Sequence, residues 1–117
     1  MLLSRQTATL GLIVIAGLAA GSPAAPAAPS ATAGAAISAQ CGACHGSNGV
    51  AADTSIPNLA GQHYQYLLAQ LEAYKNGTRK NPIMNEMTHA LSQAQIEDLA
   101  AYFASIPFSV GTAKASR

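Results

Sequence analysis

Residues 41–45 read Cys41-Gly42-Ala43-Cys44-His45, and this C-x-x-C-H pentad has the form of a c-type haem attachment site. Two thiols three positions apart can add to the two vinyl groups of one haem, and the adjacent histidine is then held under the iron as its proximal ligand. The same cysteine spacing also serves thiol oxidoreductases and half of a zinc site. Neither alternative fits the rest of the chain. There is no further cysteine, and His63 and His89 are too far apart to form an H-x3-5-H pair. Nothing before Cys41 has the pattern of a strand, which a βαβ redox motif would need. The expectation is one covalently attached haem c, bonded through Cys41 and Cys44, with its iron held by His45.

The N-terminus points to the compartment. Arg5 is the only charge in the first fifty-two residues, and it precedes an apolar stretch from Leu10 to Ala20 followed by small residues and prolines. That is the layout of a secretory signal peptide, with cleavage sites after Gly21, Ala24 or Ala27. The apolar run is shorter than the ~20 residues a spanning helix requires, which disfavours a retained anchor. Residues 1–24 are read as the signal peptide and residues 25–33 as an Ala/Pro-rich linker. A single domain follows over 34–107, with a C-terminal tail over 108–117. The expected location is the periplasm, without stable membrane insertion after processing.

Without Arg5, five cations (Lys75, Arg79, Lys80, Lys114, Arg117) face five anions (Asp53, Glu72, Glu86, Glu97, Asp98). A neutral chain has no electrostatic footprint for nucleic acid. A domain of about 75 residues rich in alanine buries too little surface to be comfortably stable by itself. A covalently held macrocycle would serve as the missing core. Leu59, Leu67, Leu68, Leu71, Ile83, Leu91, Ile96, Leu99 and Phe103 are expected to pack round it or behind it.

The hydrophobic periodicity is helical throughout. Gly34, Ile37, Cys41 and Cys44 recur at helical spacing and predict one short helix over about 32–43. A second helix is predicted over about 63–76, with Tyr64, Leu67, Leu68, Leu71 and Tyr74 on one face and Gly77 as its terminal glycine. The last is predicted over about 93–105, opened by a Ser92/Gln95 capping box and ended by Pro107, with Ile96, Leu99, Tyr102, Phe103 and Ile106 buried. Residues 77–89 read as a polar loop carrying Met84 and Met87. A thioether opposite histidine stabilises ferrous iron and raises the reduction potential, and either methionine could supply it.

Four segments then carry a resemblance: Cys41-Gly42-Ala43-Cys44-His45-Gly46, Ile56-Pro57-Asn58-Leu59-Ala60-Gly61-Gln62, Asn81-Pro82-Ile83-Met84, and Leu91 with Ile96-Glu97-Asp98-Leu99-Ala100-Ala101-Tyr102-Phe103. In this order the chain resembles a class I cytochrome c of the single-domain c553 type, and it is similar to one haem domain of the cytochromes c4. The resemblance implies an all-α fold in which helices wrap around one haem. It implies that Met84, seven positions before Leu91, is the distal ligand, with Met87 as second choice. It further implies that the Pro57 carbonyl accepts a hydrogen bond from His45 Nδ1, and that Gly34 lets the first helix cross close to Tyr102. Arg79 would face a haem propionate. His63 and His89 receive no role and are expected at the surface.

A cytochrome c4 has two such domains, whereas this chain carries one C-x-x-C-H, so transfer between two haems within it is not expected. The expected function is that of a periplasmic monohaem one-electron carrier, not an enzyme, serving redox partners such as an oxidase, a bc1-type complex or a dehydrogenase. The competing reading is a haem subunit of a dehydrogenase, or a small haem peroxidase with a labile sixth ligand. The expected docking face is apolar, built near Ala43, Val50, Ala51, Ala52 and Ile83. The alternative is steering by Lys75, Arg79 and Lys80.

Overall fold

The computed structural model describes Gly17 and residues 21–109, and its regular elements are five helices with no strand among the described residues. They are α1 (Ala31–Ile37), α2 (Ala39–His45), α3 (Tyr64–Lys75), α4 (Pro82–His89) and α5 (Gln93–Ser105). The signal-peptide and tail readings fall largely outside the described residues. Helix α1 begins at Ala31, inside the stretch read as linker, because the Ser30 side chain accepts the Ala33 N–H and caps it.

The single helix expected over 32–43 is two. Ser38 separates α1 from α2: its backbone N–H and its hydroxyl both donate to the Ala35 carbonyl, at 3.3 and 3.0 Å. A serine hydroxyl that takes a carbonyl one turn back competes with the helical ladder and bends it. The loop expected over 77–89 is also corrected, since eight of its residues form α4. Asn81 caps this helix by accepting the Ile83 and Met84 N–H groups at 3.0 Å each, and Pro82 occupies the first turn, where its missing N–H costs nothing.

Helix α5 is the axis of the domain. Its capping box is complete: Ser92 Oγ accepts from the Gln95 N–H, and Gln95 Oε1 accepts from the Ser92 N–H. Ile96, Leu99, Ala100 and Phe103 are buried, joined by Leu67 of α3 and by Leu91, with Leu59, Leu68 and Leu71 half-buried against them. Tyr102 and Ile106 are only half-buried. Ile83, expected among the core residues, stands 67% exposed on the first turn of α4. Pro82 and Ile83 open that helix on its outer side.

Helix α1 crosses α5 at Gly34. A Cβ built there would lie 2.0 Å from the Asp98 carbonyl oxygen and 2.7 Å from Tyr102 Cβ. The nearest obstacle is thus the α5 backbone, which cannot rotate away. Nearby, the Ser30 N–H donates to the Asp98 carboxylate at 2.7 Å and anchors the start of α1 to α5.

In an open helix, glycine to alanine stabilises by up to ~1 kcal/mol. At this crossing the sign reverses: Gly34→Ala should destabilise by about 1–3 kcal/mol, because backbone must move to admit the methyl. Denaturant unfolding of the haem-loaded variant beside the wild type measures it.

Candidate haem attachment site

Helix α2 presents Cys41 and Cys44 one turn apart, and both thiols are free. Cys44 is exposed and Cys41 half-buried; burial pushes the Cys41 thiol above its ordinary pKa, partly offset by a backbone hydrogen bond. His45, the last residue of α2, is 7% exposed. Its Nδ1 donates to the Pro57 carbonyl oxygen at 2.8 Å. With Nδ1 carrying the proton, Nε2 is left with a free lone pair, the form in which imidazole binds a metal.

The chain must reverse sharply after His45 for Pro57 to reach it. Gly46 makes that turn at φ 83°, where a Cβ would fall 2.0 Å from the Val50 carbonyl oxygen. Both the conformation and the space exclude a side chain. The following loop closes on one acceptor, the Gly49 carbonyl, which takes the N–H groups of Leu59 and Ala60 at 2.8 and 3.0 Å. Asn58 Oδ1 accepts the Ala51 N–H at 2.8 Å, which ties the two sides of the loop beside Pro57. The Gly61 N–H donates to the Phe103 carbonyl at 3.0 Å, so the loop is fastened to α5.

Met84 and Met87 share α4, and both are half-buried. Met84 is held at both ends of its backbone unit: Asn81 accepts from its N–H, and Thr88 Oγ1 donates to its carbonyl at 2.8 Å. Thr88 itself is 1% exposed. Arg79 is exposed on the α3–α4 connection, where its guanidinium lies 4.5 Å from the Tyr74 ring centroid and donates to Gln70 Oε1. His63 and His89 are exposed at the start of α3 and the end of α4. Asn85 and Thr88 were not singled out by the sequence, and Asn81 entered only within the segment leading to Met84, without a capping role; the recurrence of asparagine at 81 and 85, one helical turn apart, was the only trace of Asn85.

This donor set suits a covalently held haem. Two unpaired thiols and an imidazole whose Nδ1 is already engaged lie on one helix, and thioethers are available on another. Among the described residues, no three His, Cys, Asp or Glu side chains gather to hold a metal ion directly. A tetrahedral zinc centre would need such a group.

Known proteins agree. The thiosulfate dehydrogenase electron acceptor of Stutzerimonas stutzeri is 44% identical over 70 residues, covering 57% of this chain and 32% of its own length. Cytochrome c-554(548) of Halomonas halodenitrificans is 41% identical over 68 residues, covering 56% of this chain and 82% of its own. Among solved structures, reduced cytochrome c4 from Pseudomonas stutzeri superposes with a TM-score of 0.68 at 43% identity, over 74% of this chain and 50% of that one. The chain spans about a third of the length of the first curated relatives it matches. The cytochrome c family profile matches residues 31–107. The chain therefore belongs to the cytochrome c family, whose members carry an iron-containing haem c bound covalently to the protein.

Proposed function

We propose that the chain is a periplasmic monohaem one-electron carrier in which His45 and Met84 are the two axial ligands of the haem iron. The observation that carries this reading is the buried His45 with Nδ1 bonded to the Pro57 carbonyl, directly beside two free cysteines on α2. When bound, haem supplies a one-electron couple at its iron. Cys41 and Cys44 hold the macrocycle as thioethers. The Pro57 carbonyl fixes the His45 ring and its tautomer.

Met84 is preferred to Met87 for two reasons. It stands at the family spacing before Leu91, and its backbone is held by Asn81 and Thr88. A neutral, soft thioether there would favour ferrous iron and leave no open position for oxygen or peroxide. A carrier with both positions filled does not turn over a substrate. The Stutzerimonas relative's name makes it an electron acceptor for a dehydrogenase, which supports a dehydrogenase as this chain's donor as well.

The proposed docking face is built from exposed apolar residues that lie between and after the cysteines along the chain, together with Ile83 of α4. Ala43 and Ala52 are exposed, Val50 is 40% exposed and Ile83 67% exposed. The basic cluster is partly occupied elsewhere. Lys75 Nζ donates to the His89 and Leu91 carbonyls behind α4, and Arg79 lies over Tyr74.

Carbon monoxide tests the ligation. The reduced wild type should not bind it, whereas Met84→Ala should bind it at once, lose the far-red sulfur-to-ferric-iron band and shift to lower potential. If Met87→Ala has these effects and Met84→Ala has none, the assignment is wrong.

Salt tests the docking face. Electron transfer from a dehydrogenase partner, followed by stopped flow, should change little as the Debye length falls from about 30 Å at 0.01 M to about 10 Å at 0.1 M. A steep fall in rate would instead assign docking to Lys75, Arg79 and Lys80.

A further inference from the structure

Asn85, the residue after Met84, bonds through its side chain to backbone groups of three different segments. Its Nδ2 donates to the Tyr74 carbonyl in the last turn of α3 at 2.6 Å, and to the Arg79 carbonyl in the connecting loop at 2.9 Å. Its Oδ1 accepts the Asn81 N–H at 2.8 Å, at the cap of α4. Both amide hydrogens and the amide oxygen are thus used. The orientation follows from the partners, since reversing the amide would set its oxygen against two carbonyls.

An eight-residue helix is unstable alone, so α4 persists through what holds its ends and its packed face. Asn81 holds the Met84 N–H, and Asn85 holds Asn81. The same Asn85 side chain fastens this turn to the end of α3. We propose that Asn85 is a positioning residue for Met84: its side chain clasps α3, the 76–81 connection and the first turn of α4, and so slows release of Met84 from the iron. The proposal rests on the reading of Met84 as distal ligand. Asn85 acts through the backbone that carries Met84, by making local opening of this turn rarer.

The test uses the haem-loaded full chain in four forms: wild type, Asn85→Asp, Asn85→Ala and the control Glu86→Gln. Aspartate keeps the shape of asparagine but replaces two donors with acceptors facing the Tyr74 and Arg79 carbonyls. Cyanide binding to the ferric protein reports how often the distal ligand leaves. Both Asn85 variants should bind cyanide about tenfold faster, as expected for the loss of two or three hydrogen bonds, the one to Tyr74 part-buried, that oppose local opening. The far-red band should weaken, and amide exchange should quicken at Ile83 and Met84 while Leu99 and Ala100 in α5 stay protected. Glu86→Gln, an exposed neighbour, should behave as wild type.

Met84→Ala, measured in parallel, separates the two readings. If it leaves the far-red band in place, Met84 is not the ligand and the proposal falls with that reading. If it removes the band while the Asn85 variants bind cyanide within about twofold of wild type, the ligand stands and the clasp is overturned. Should neither Asn85 variant fold, amide exchange in the wild type decides. The Asn81 N–H precedes the helix and has no ladder partner, so its protection reports the Asn85 bond directly. Protection supports the clasp, and exchange at the unprotected rate overturns it.

Discussion

The crossing of α1 and α5 at Gly34 is the constraint on which the rest of the domain depends. Helix α2 follows α1 after a single bent residue, so whatever seats α1 also places Cys41, Cys44 and His45 relative to the core. The seat has two parts. Gly34 lets the helix approach until its missing Cβ would touch the Asp98 carbonyl, and the Asp98 carboxylate takes the Ser30 N–H at the start of α1. One α5 residue thereby meets α1 through both its backbone and its side chain. Close packing of this kind gains many dispersion contacts over a small area, which matters in a domain with so few large apolar residues.

Short polar side chains bonded to backbone do much of the remaining work. Asn58 ties the loop that brings Pro57 to His45, Asn81 caps α4, and Asn85 and Thr88 secure the turn carrying Met84. Among the described residues, no buried side-chain polar atom lacks a partner. These bonds set direction rather than add great stability, because each replaces a bond to water and contributes about 1 kcal/mol net. Ligands of a redox iron need to keep their geometry as the iron changes charge. Under the proposed ligation, the directional bonds around His45 and Met84 would meet that need better than a deeper apolar core.

Much of this was legible in the chain. The bounds of α5 follow from Ser92, Gln95 and Pro107, since a capping box and a proline are local signals that tertiary contacts seldom override. Helix α3 was readable from its apolar face and Gly77. The break at Ser38 was not, because it turns on which carbonyl a serine hydroxyl takes. Helix α4 was hidden by its polarity and by Pro82, which reads as a breaker unless its position just after a capping asparagine is weighed. Ile83 was expected both among the packed residues and on the docking face, and the direction in which the first turn of α4 faces put it outside.

The sequence by itself determined the chemistry. Cys41, Cys44 and His45 are neighbours along the chain, so their grouping needs no folding, and periodicity alone makes the domain helical. The tertiary structure decided what joins distant residues: it made the bond from His45 Nδ1 to the Pro57 carbonyl across twelve positions, which the resemblance had implied and no local pattern could show, and the Asn85 bridge between α3 and α4, which nothing had implied. It also turned Arg79 onto Tyr74 and Gln70. The physical reason is that local signals act through spacing, which the chain displays. A hydrogen bond between segments depends instead on where two backbones approach each other, which is a property of the folded chain and not of spacing along it.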